Sequence, residues 1–370
     1  MLLNVEGSDT TGDDSSNKAG SIYFYNTMSG IMIYRSKAPL RIGLAGGGTD
    51  VSPYSDLYGG AILNATLSLY ASATIEPLDK GGIIVEAIDQ QQEQQFEWDN
   101  KLPIDGTLDL LKGVYNRIQK DYGIPKTNFR LSTFVEAPAG SGLGTSSTLV
   151  VAIIGAFVEM LRLPMGEYDI AHYAYDIERN DLKLAGGKQD QYAATFGGVN
   201  YMEFYGDNVV VNPLRIKQQY LFELENNLLL YYTATTRESA KIIERQSKNV
   251  INKKDDPIEA MHQLKEQAKL MKEALLKGKV HSIGEILDYG FQQKRKMAEG
   301  ISNELIDDIY ETAKAAGATG GKISGAGGGG FMTFYCPGNS KYNVIKKLEK
   351  FSGHHVKYQF VKHGLQTWTI

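Results

Sequence analysis

A glycine-rich stretch, Pro138-Ala139-Gly140-Ser141-Gly142-Leu143-Gly144-Thr145-Ser146-Ser147, lies between a strand-like segment ending at Val135 and a strongly apolar helical segment that starts near Ser146. Glycines let the backbone turn its N–H groups inward. The helix that follows adds its free N–H groups and the positive end of its dipole. Together these make an anion site suited to phosphates. Hydroxyls at Thr145, Ser146 and Ser147 add donors, and one of them is a candidate Mg²⁺ ligand. No lysine precedes the hydroxyls, so the loop is not a Walker loop. Its G-x-G-x-G spacing and late position set it apart from a dinucleotide-binding fingerprint.

Glycine reaches 40 residues and is clustered, at 46–48, 140–144, 186–187, 197–198 and 325–330. Such clusters put backbone close to a ligand or in left-handed conformations. A chain of 370 residues is long enough for two domains. The net charge of −4 gives no basic footprint for nucleic acid and no polybasic patch for a membrane. A single cysteine, Cys336, excludes an internal disulfide and fits a reducing cytoplasm. The longest apolar run, Leu149 to Leu163, carries Glu159 and Arg162 and reads as a buried helix. His281, His354 and His355 have no ligand spacing and read as surface or packing residues.

Residues 1–32 are polar, acidic and without periodicity, and read as a disordered or extraneous segment. The expected N-terminal domain spans 33–212. Strands at Arg41–Leu44, Gly60–Ile75, Gly82–Ile88 and Gln94–Trp98 predict a meander. A helix over Leu108–Tyr122, a strand ending at Val135, helices near 146–162 and 167–181 and a strand at Val199–Phe204 follow. The expected C-terminal domain, 213–370, is richer in helix. Asp256-Pro257-Ile258-Glu259 predicts a helix start with Asp256 as cap, and Gly278 its end. A helix at 303–316, a strand at Phe331–Tyr335, a helix at Lys341–Phe351 and a strand over Val356–Phe360 complete an α+β fold.

The loop at 138–147 resembles the second motif of the GHMP kinases, the family of galactokinase, homoserine kinase, mevalonate kinase and phosphomevalonate kinase, with Thr145 replacing one serine. Ala38-Pro39-Leu40-Arg41-Ile42-Gly43-Leu44 resembles the first motif, and Lys322-Ile323-Ser324-Gly325-Ala326-Gly327-Gly328-Gly329-Gly330 the third, in the family's order. The resemblance implies a ribosomal protein S5 domain 2-like N-terminal domain, a ferredoxin-like C-terminal domain, and ATP with Mg²⁺ as cofactors. It implies that residues 138–147 surround the ATP phosphates and that Ser146 and Glu178 hold Mg²⁺. Asp190, in Gly186-Gly187-Lys188-Gln189-Asp190-Gln191, would face the acceptor hydroxyl with Arg41 beside it. On residues alone, Glu178 reads as a solvated helix charge, Asp190 as a helix cap and Arg41 as an exposed strand arginine.

Where galactokinase has Gly-Glu-His-Thr-Asp, this chain has Gly46-Gly47-Gly48-Thr49-Asp50. Two bulky polar groups are gone, which removes galactose contacts and opens space. The stretch Ala45–Tyr54 resembles the sugar-1-kinases of bacterial heptose and fucose metabolism. That implies phosphorylation of the anomeric hydroxyl of a heptose 7-phosphate, on the route to GDP-heptose. A fucokinase-like enzyme on an unphosphorylated sugar and a non-catalytic nucleotide- or sugar-binding regulator are the alternatives. Asp50 would accept hydrogen bonds from sugar hydroxyls. A phosphorylated acceptor needs cations, for which Arg237, beside Thr236, and Lys322, ahead of Gly325 and Gly327, are the candidates.

Overall fold

Pro39 has no N–H to give to a ladder, and strand β1 (Tyr34–Ala45) slips register beside it, between Pro39 and Arg41. Such a slip bends a strand and re-aims its side chains. Arg41 turns inward and is 3% exposed. The computed structural model describes residues 32–206, 208–235 and 239–370. Among the described residues, β1 belongs to a mixed eight-stranded sheet with β2 (Gly60–Leu78), β3 (Ile83–Ala87), β4 (Gln92–Phe96), β5 (Asn128–Val135), β6 (Val199–Tyr205), β7 (Asn208–Pro213) and β12 (Gln366–Thr369). The order is β12-β1-β2-β5-β3-β4, with β6 and β7 continuing from β2. The expected meander is therefore corrected. β5 inserts between β2 and β3 and runs parallel to β3. The chain between those two strands is long enough to cross over, and it carries a helix, α2 (Asp109–Asp121), as parallel pairing requires.

Three more helices follow in this half, after the short α1 (Tyr54–Tyr58). Helix α3 (Thr145–Leu161) is buried all round from Ser147 to Phe157, which marks it as the core helix packed between the sheet and its neighbours. No helix among the described residues is long and apolar enough to cross a membrane. The helix expected over 167–181 divides. α4 covers Glu167–Asp176, and a single π turn spans Ile177–Asp181, where the Leu182 N–H donates to the Ile177 carbonyl at 2.9 Å. Such turns widen a helix by one residue and recur at functional sites. α5 (Gln189–Phe196) leads into β6.

The second half contributes α6 (Gln218–Asn227), β8 (Leu228–Tyr232), α7 (Ser239–Ile251), α8 (Asp255–Leu276), α9 (Ile283–Met297), α10 (Glu304–Ala315), β9 (Gly320–Ile323), β10 (Phe331–Tyr335), α11 (Ser340–Leu348) and β11 (His354–Val356). The strands form an antiparallel sheet in the order β11-β8-β10-β9. α8 begins one residue before the expected cap, so Pro257 sits third in the helix, where its missing N–H still costs nothing. The strand expected to reach Phe360 stops at Val356, and Phe360 makes only an isolated bridge to Leu67. The chain then returns to the first sheet as β12, beside Tyr34–Lys37 of β1. One core joins both halves, with Leu40, Ile42 and Leu44 packed in the same cluster as Leu228, Ala268, Met271 and Phe331.

Candidate active site

Gly140, Gly142 and Gly144 have φ of 72°, 84° and 77°, so each takes the left-handed conformation that the alternating glycines suggest. Gly144 is the N-cap of α3 and supplies no side chain to bond the first-turn N–H groups. Those donors and the helix dipole point at the loop, the arrangement that binds phosphate. A second glycine loop, between β9 and β10, lies against the first. A Cβ on Gly142 would come within 2.7 Å of the Ser324 carbonyl oxygen, and one on Gly330 within 2.2 Å of the Ser141 carbonyl oxygen. The Phe331 N–H donates to that Ser141 oxygen at 2.9 Å.

β1 reaches the same place from below. The Arg41 N–H donates to Leu143 O at 3.2 Å, and its Nη1 to Gly142 O at 2.5 Å. Its Nε and Nη2 lie 2.7 and 2.5 Å from one oxygen of Asp190, Oδ1. Asp190 is in the first turn of α5 and rests against Gly144, where a Cβ would stand 3.2 Å from Oδ2. Asp50, 2% exposed, holds the start of that helix. Its Oδ2 accepts from the Lys188 N–H at 2.9 Å and the Gln189 N–H at 3.1 Å. Burial raises the Asp50 carboxyl above the usual carboxylate range, and the charge of Asp190 adds to the rise.

The π turn brings Glu178 into the interior, 2% exposed. Gln191 Nε2 bridges Glu178 Oε2 at 2.5 Å and Ser147 Oγ at 3.1 Å. Burial, the largest influence, pushes the Glu178 carboxyl up, while Arg179, Ser147 and Gln191 oppose the rise. Gln191 Oε1 is buried there without a hydrogen-bond partner. One carboxylate, serine hydroxyls and an unsatisfied amide oxygen suit a hard cation that takes its other ligands from phosphate and water. No cluster of three or more acidic, histidine or cysteine side chains among the described residues would hold a metal on its own.

The charged groups just described meet at one cleft of about 280 Å³, with Gln191 behind its wall. Arg41, Asp190 and Glu178 are on its wall, as are Gly48 and Asp50 from the first glycine run. Gly140, Gly142, Gly144, Thr145, Ser146 and Ser147 form the loop side, and Gly325 the third motif's share. The hydroxyl joined to Glu178 is that of Ser147, whereas Ser146 is exposed on the same wall. Other expected residues support the cleft from behind. Thr49 is fully buried, its Oγ1 donating to Gly46 O and Ala61 O. Leu143 and Ser141 are buried, and Pro138, Gly46, Gly47 and Gly327 are off the wall. Lys322 is 6% exposed, donates to Gly43 O at 2.6 Å and does not line the cleft. Thr236 and Arg237 lie outside the described residues.

The wall also holds residues that sequence reasoning missed: Arg179, Gln246 and Lys294. Arg179 Nη1 and Nη2 donate to Leu184 O at 3.3 Å and Gly187 O at 3.2 Å and so brace the approach to α5. Gln246 and Lys294 fall on buried stripes of α7 and α9, a polar residue in an apolar period, which is the signal that marks them.

Residues 109–198 match the family model for the N-terminal domain of the GHMP kinases, and 271–353 the model for their C-terminal domain. A D-glycero-alpha-D-manno-heptose 7-phosphate kinase from Campylobacter jejuni is 48% identical, over 91% of this chain and 99% of its own length. The chain belongs to the GHMP kinases. A D-glycero-D-manno-heptose 1-phosphate kinase from Bacteroides thetaiotaomicron has a solved structure that matches this GHMP kinase with a TM-score of 0.78. It is 46% identical, covering 91% of this chain and 99% of the other. An L-fucokinase/L-fucose-1-P guanylyltransferase from Bacteroides fragilis is 26% identical over 80% of this chain but only 34% of its own. Both halves of the GHMP kinase fold are present, and the enzyme is a phosphotransferase that uses ATP.

Proposed function

We propose that this kinase transfers the γ-phosphoryl group of ATP to the anomeric hydroxyl of D-glycero-D-manno-heptose 7-phosphate, giving the 1,7-bisphosphate in a cytoplasmic route to surface glycans. The observation that carries the reading is the Arg41–Asp190 pair set against the N-terminus of α3, where phosphate and acceptor oxygen would meet. The near-full-length likeness to a heptose 7-phosphate kinase supports the choice of acceptor.

Phosphoryl transfer needs in-line positioning and charge neutralisation more than covalent help. The amides of residues 140–147 would take up phosphate charge. Asp190 Oδ1 is engaged by Arg41, which leaves Oδ2 to accept the proton of the attacking hydroxyl. The acceptor oxygen then bonds to the γ-phosphorus as the bridging bond to ADP breaks. An anomeric hydroxyl is more acidic than an ordinary alcohol, so a carboxylate is base enough. Glu178 with Ser146 or Ser147 would hold Mg²⁺, which supplies positive charge to the phosphates when bound.

The test is a substrate panel. Mg-ATP is incubated with the heptose 7-phosphate, free heptose, fucose, galactose and mevalonate, ADP release is recorded, and the product is tested for an acid-labile glycosyl phosphate. Turnover of the heptose 7-phosphate to an acid-labile product is expected. Preference for fucose would overturn the acceptor, an acid-stable product would overturn the anomeric position, and nucleotide binding without turnover of any sugar would make the chain a regulator.

A further inference from the structure

The run Gly46-Gly47-Gly48 contains two glycines that the backbone demands and one that it does not. Gly46 has φ of 78°, and a Cβ on it would lie 2.0 Å from Ala61 O. Gly48 has φ of 106°, and its Cβ would lie 2.5 Å from Met297 Cε. Gly47 has no left-handed φ. A Cβ there would make only ordinary contacts, at 3.7 Å to Lys294 Nζ and 3.9 Å to Lys322 Nζ. Gly47 is therefore the point of the run that the backbone leaves free to vary, and it faces two lysine nitrogens.

The two lysines arrive from different elements. Lys294, on α9, is 4% exposed, donates to Gly325 O at 2.5 Å and lines the cleft. Lys322, on β9, stands behind it. Burial depresses Lys322 far below an ordinary lysine, with Lys294 and Arg41 adding to the fall, so the three cations share one field. Arg41 is turned to Asp190. Gln246, which donates to Gly48 O at 2.7 Å, fixes the glycine run against this corner. Lys294 brings an ammonium donor from a buried position to the cleft wall, which suits it to hold an anion there.

We propose that Lys294, backed by Lys322 and left uncovered by Gly47, binds a phosphate monoester, namely the one the sugar acceptor already carries, and so selects a sugar phosphate over a free sugar. The proposal rests on the sugar-phosphate reading above. A γ-phosphate of ATP has the same chemistry, and the kinetics separate the two sources.

Lys294→Met, Lys294→Arg and Gly47→Ala are compared with the wild-type chain, varying heptose 7-phosphate, free heptose and ATP in turn. A charge-assisted hydrogen bond is worth about a 10- to 100-fold change in affinity. Lys294→Met is expected to raise KM for heptose 7-phosphate by about that factor, to leave KM for ATP in place, and to erase the preference over free heptose. Lys294→Arg is expected to recover part of the loss, and Gly47→Ala to raise the same KM by a smaller factor. A rise in KM for ATP instead, or an unchanged KM for the sugar phosphate, overturns the inference alone. A wild-type chain that ignores heptose 7-phosphate overturns the proposed function and this inference with it. Should Lys294→Met fail to fold, Gly47→Ala decides by the same two KM values.

Discussion

Arg41 places two nitrogens on a single oxygen of Asp190, at 2.7 and 2.5 Å, and leaves the other oxygen facing Gly144. The carboxylate is thus held by one atom and available by the other. Asp190→Ala is expected to lower kcat by about 10²- to 10⁴-fold, the usual share of a positioned acid or base. Nucleotide affinity should stay nearly intact. Coupled ADP release and nucleotide titration measure the two, and an unchanged kcat would remove Asp190 from the chemistry.

Gly187 carries a stricter constraint than its sequence context suggests. A Cβ on it would lie 1.9 Å from Asp50 Oδ2, inside any allowed contact. Asp50 receives the two N–H groups that open α5, so the clash would be passed to Asp190. Gly187→Ala is expected to cost about 1–3 kcal/mol, as overpacking does, and to lower kcat as well. Urea unfolding and steady-state rates test both halves of the statement.

Glu178→Gln keeps the shape of the buried trio with Gln191 and Ser147 but removes its charge. The Mg²⁺ concentration giving half-maximal rate is expected to rise about tenfold or more, as when a ligand's charge is lost. A Mg²⁺ titration at saturating ATP and sugar reads it, and an unmoved midpoint would exclude Glu178 as a ligand.

Lys322 gives a pH signature of definite sign. Its folded pKa lies well below the ordinary lysine value of 10.5, so the unfolded chain binds more protons between the two values. Wild-type stability from this residue therefore rises with pH through that window and is lost as pH falls through the folded pKa. Lys322→Met lacks this dependence. The stability of wild type relative to the variant should grow as pH increases toward 10, measured by urea midpoints at several pH values. A flat difference would show the ammonium to be ordinary.

Burial pushes the Cys336 thiol up to about 12. The thiolate is the reactive form, so iodoacetamide is expected to leave the native chain unlabelled near neutral pH and to label it in denaturant. Labelling of the native chain within minutes would contradict that environment.

The glycine loop at 140–144 was readable because alternating glycines before a helix start have few other uses, and all three take positive φ. Asp190 and Arg41 were readable mainly through motif order; their bond to each other depends on a register slip beside Pro39 that local pattern barely signals. The π turn at Ile177–Asp181 was invisible, since one widened turn leaves no period. Strand order escaped for a related reason: the insertion of β5 is decided by a crossover, not by residues within the strand. Lys294 was hidden in plain view by Lys294-Arg295-Lys296, which looks like a solvated helix end. Only its place in the stripe Ile283, Leu287, Gly290, Lys294 and Met297 shows that it points inward. Thr49, within the glycine run that the sequence assigns to the sugar, spends its hydroxyl on backbone, a use that polar residues in glycine-rich turns often have and that a motif does not reveal.

The pairing of β12 with β1 ends in a reciprocal hydrogen-bond pair: the Ile33 N–H donates to Ile370 O at 2.8 Å and the Ile370 N–H to Ile33 O at 3.0 Å. The first strand of the fold and the last residue of the chain are therefore next-door neighbours. In a variant that starts at residue 33, a few linker residues from Ile370 would close the fold into a ring, which could be reopened at the exposed turn around Gly106, where an added Cβ would meet nothing within 4 Å. Such a circular permutant would retain every cleft residue while moving both ends away from the strand that carries Arg41.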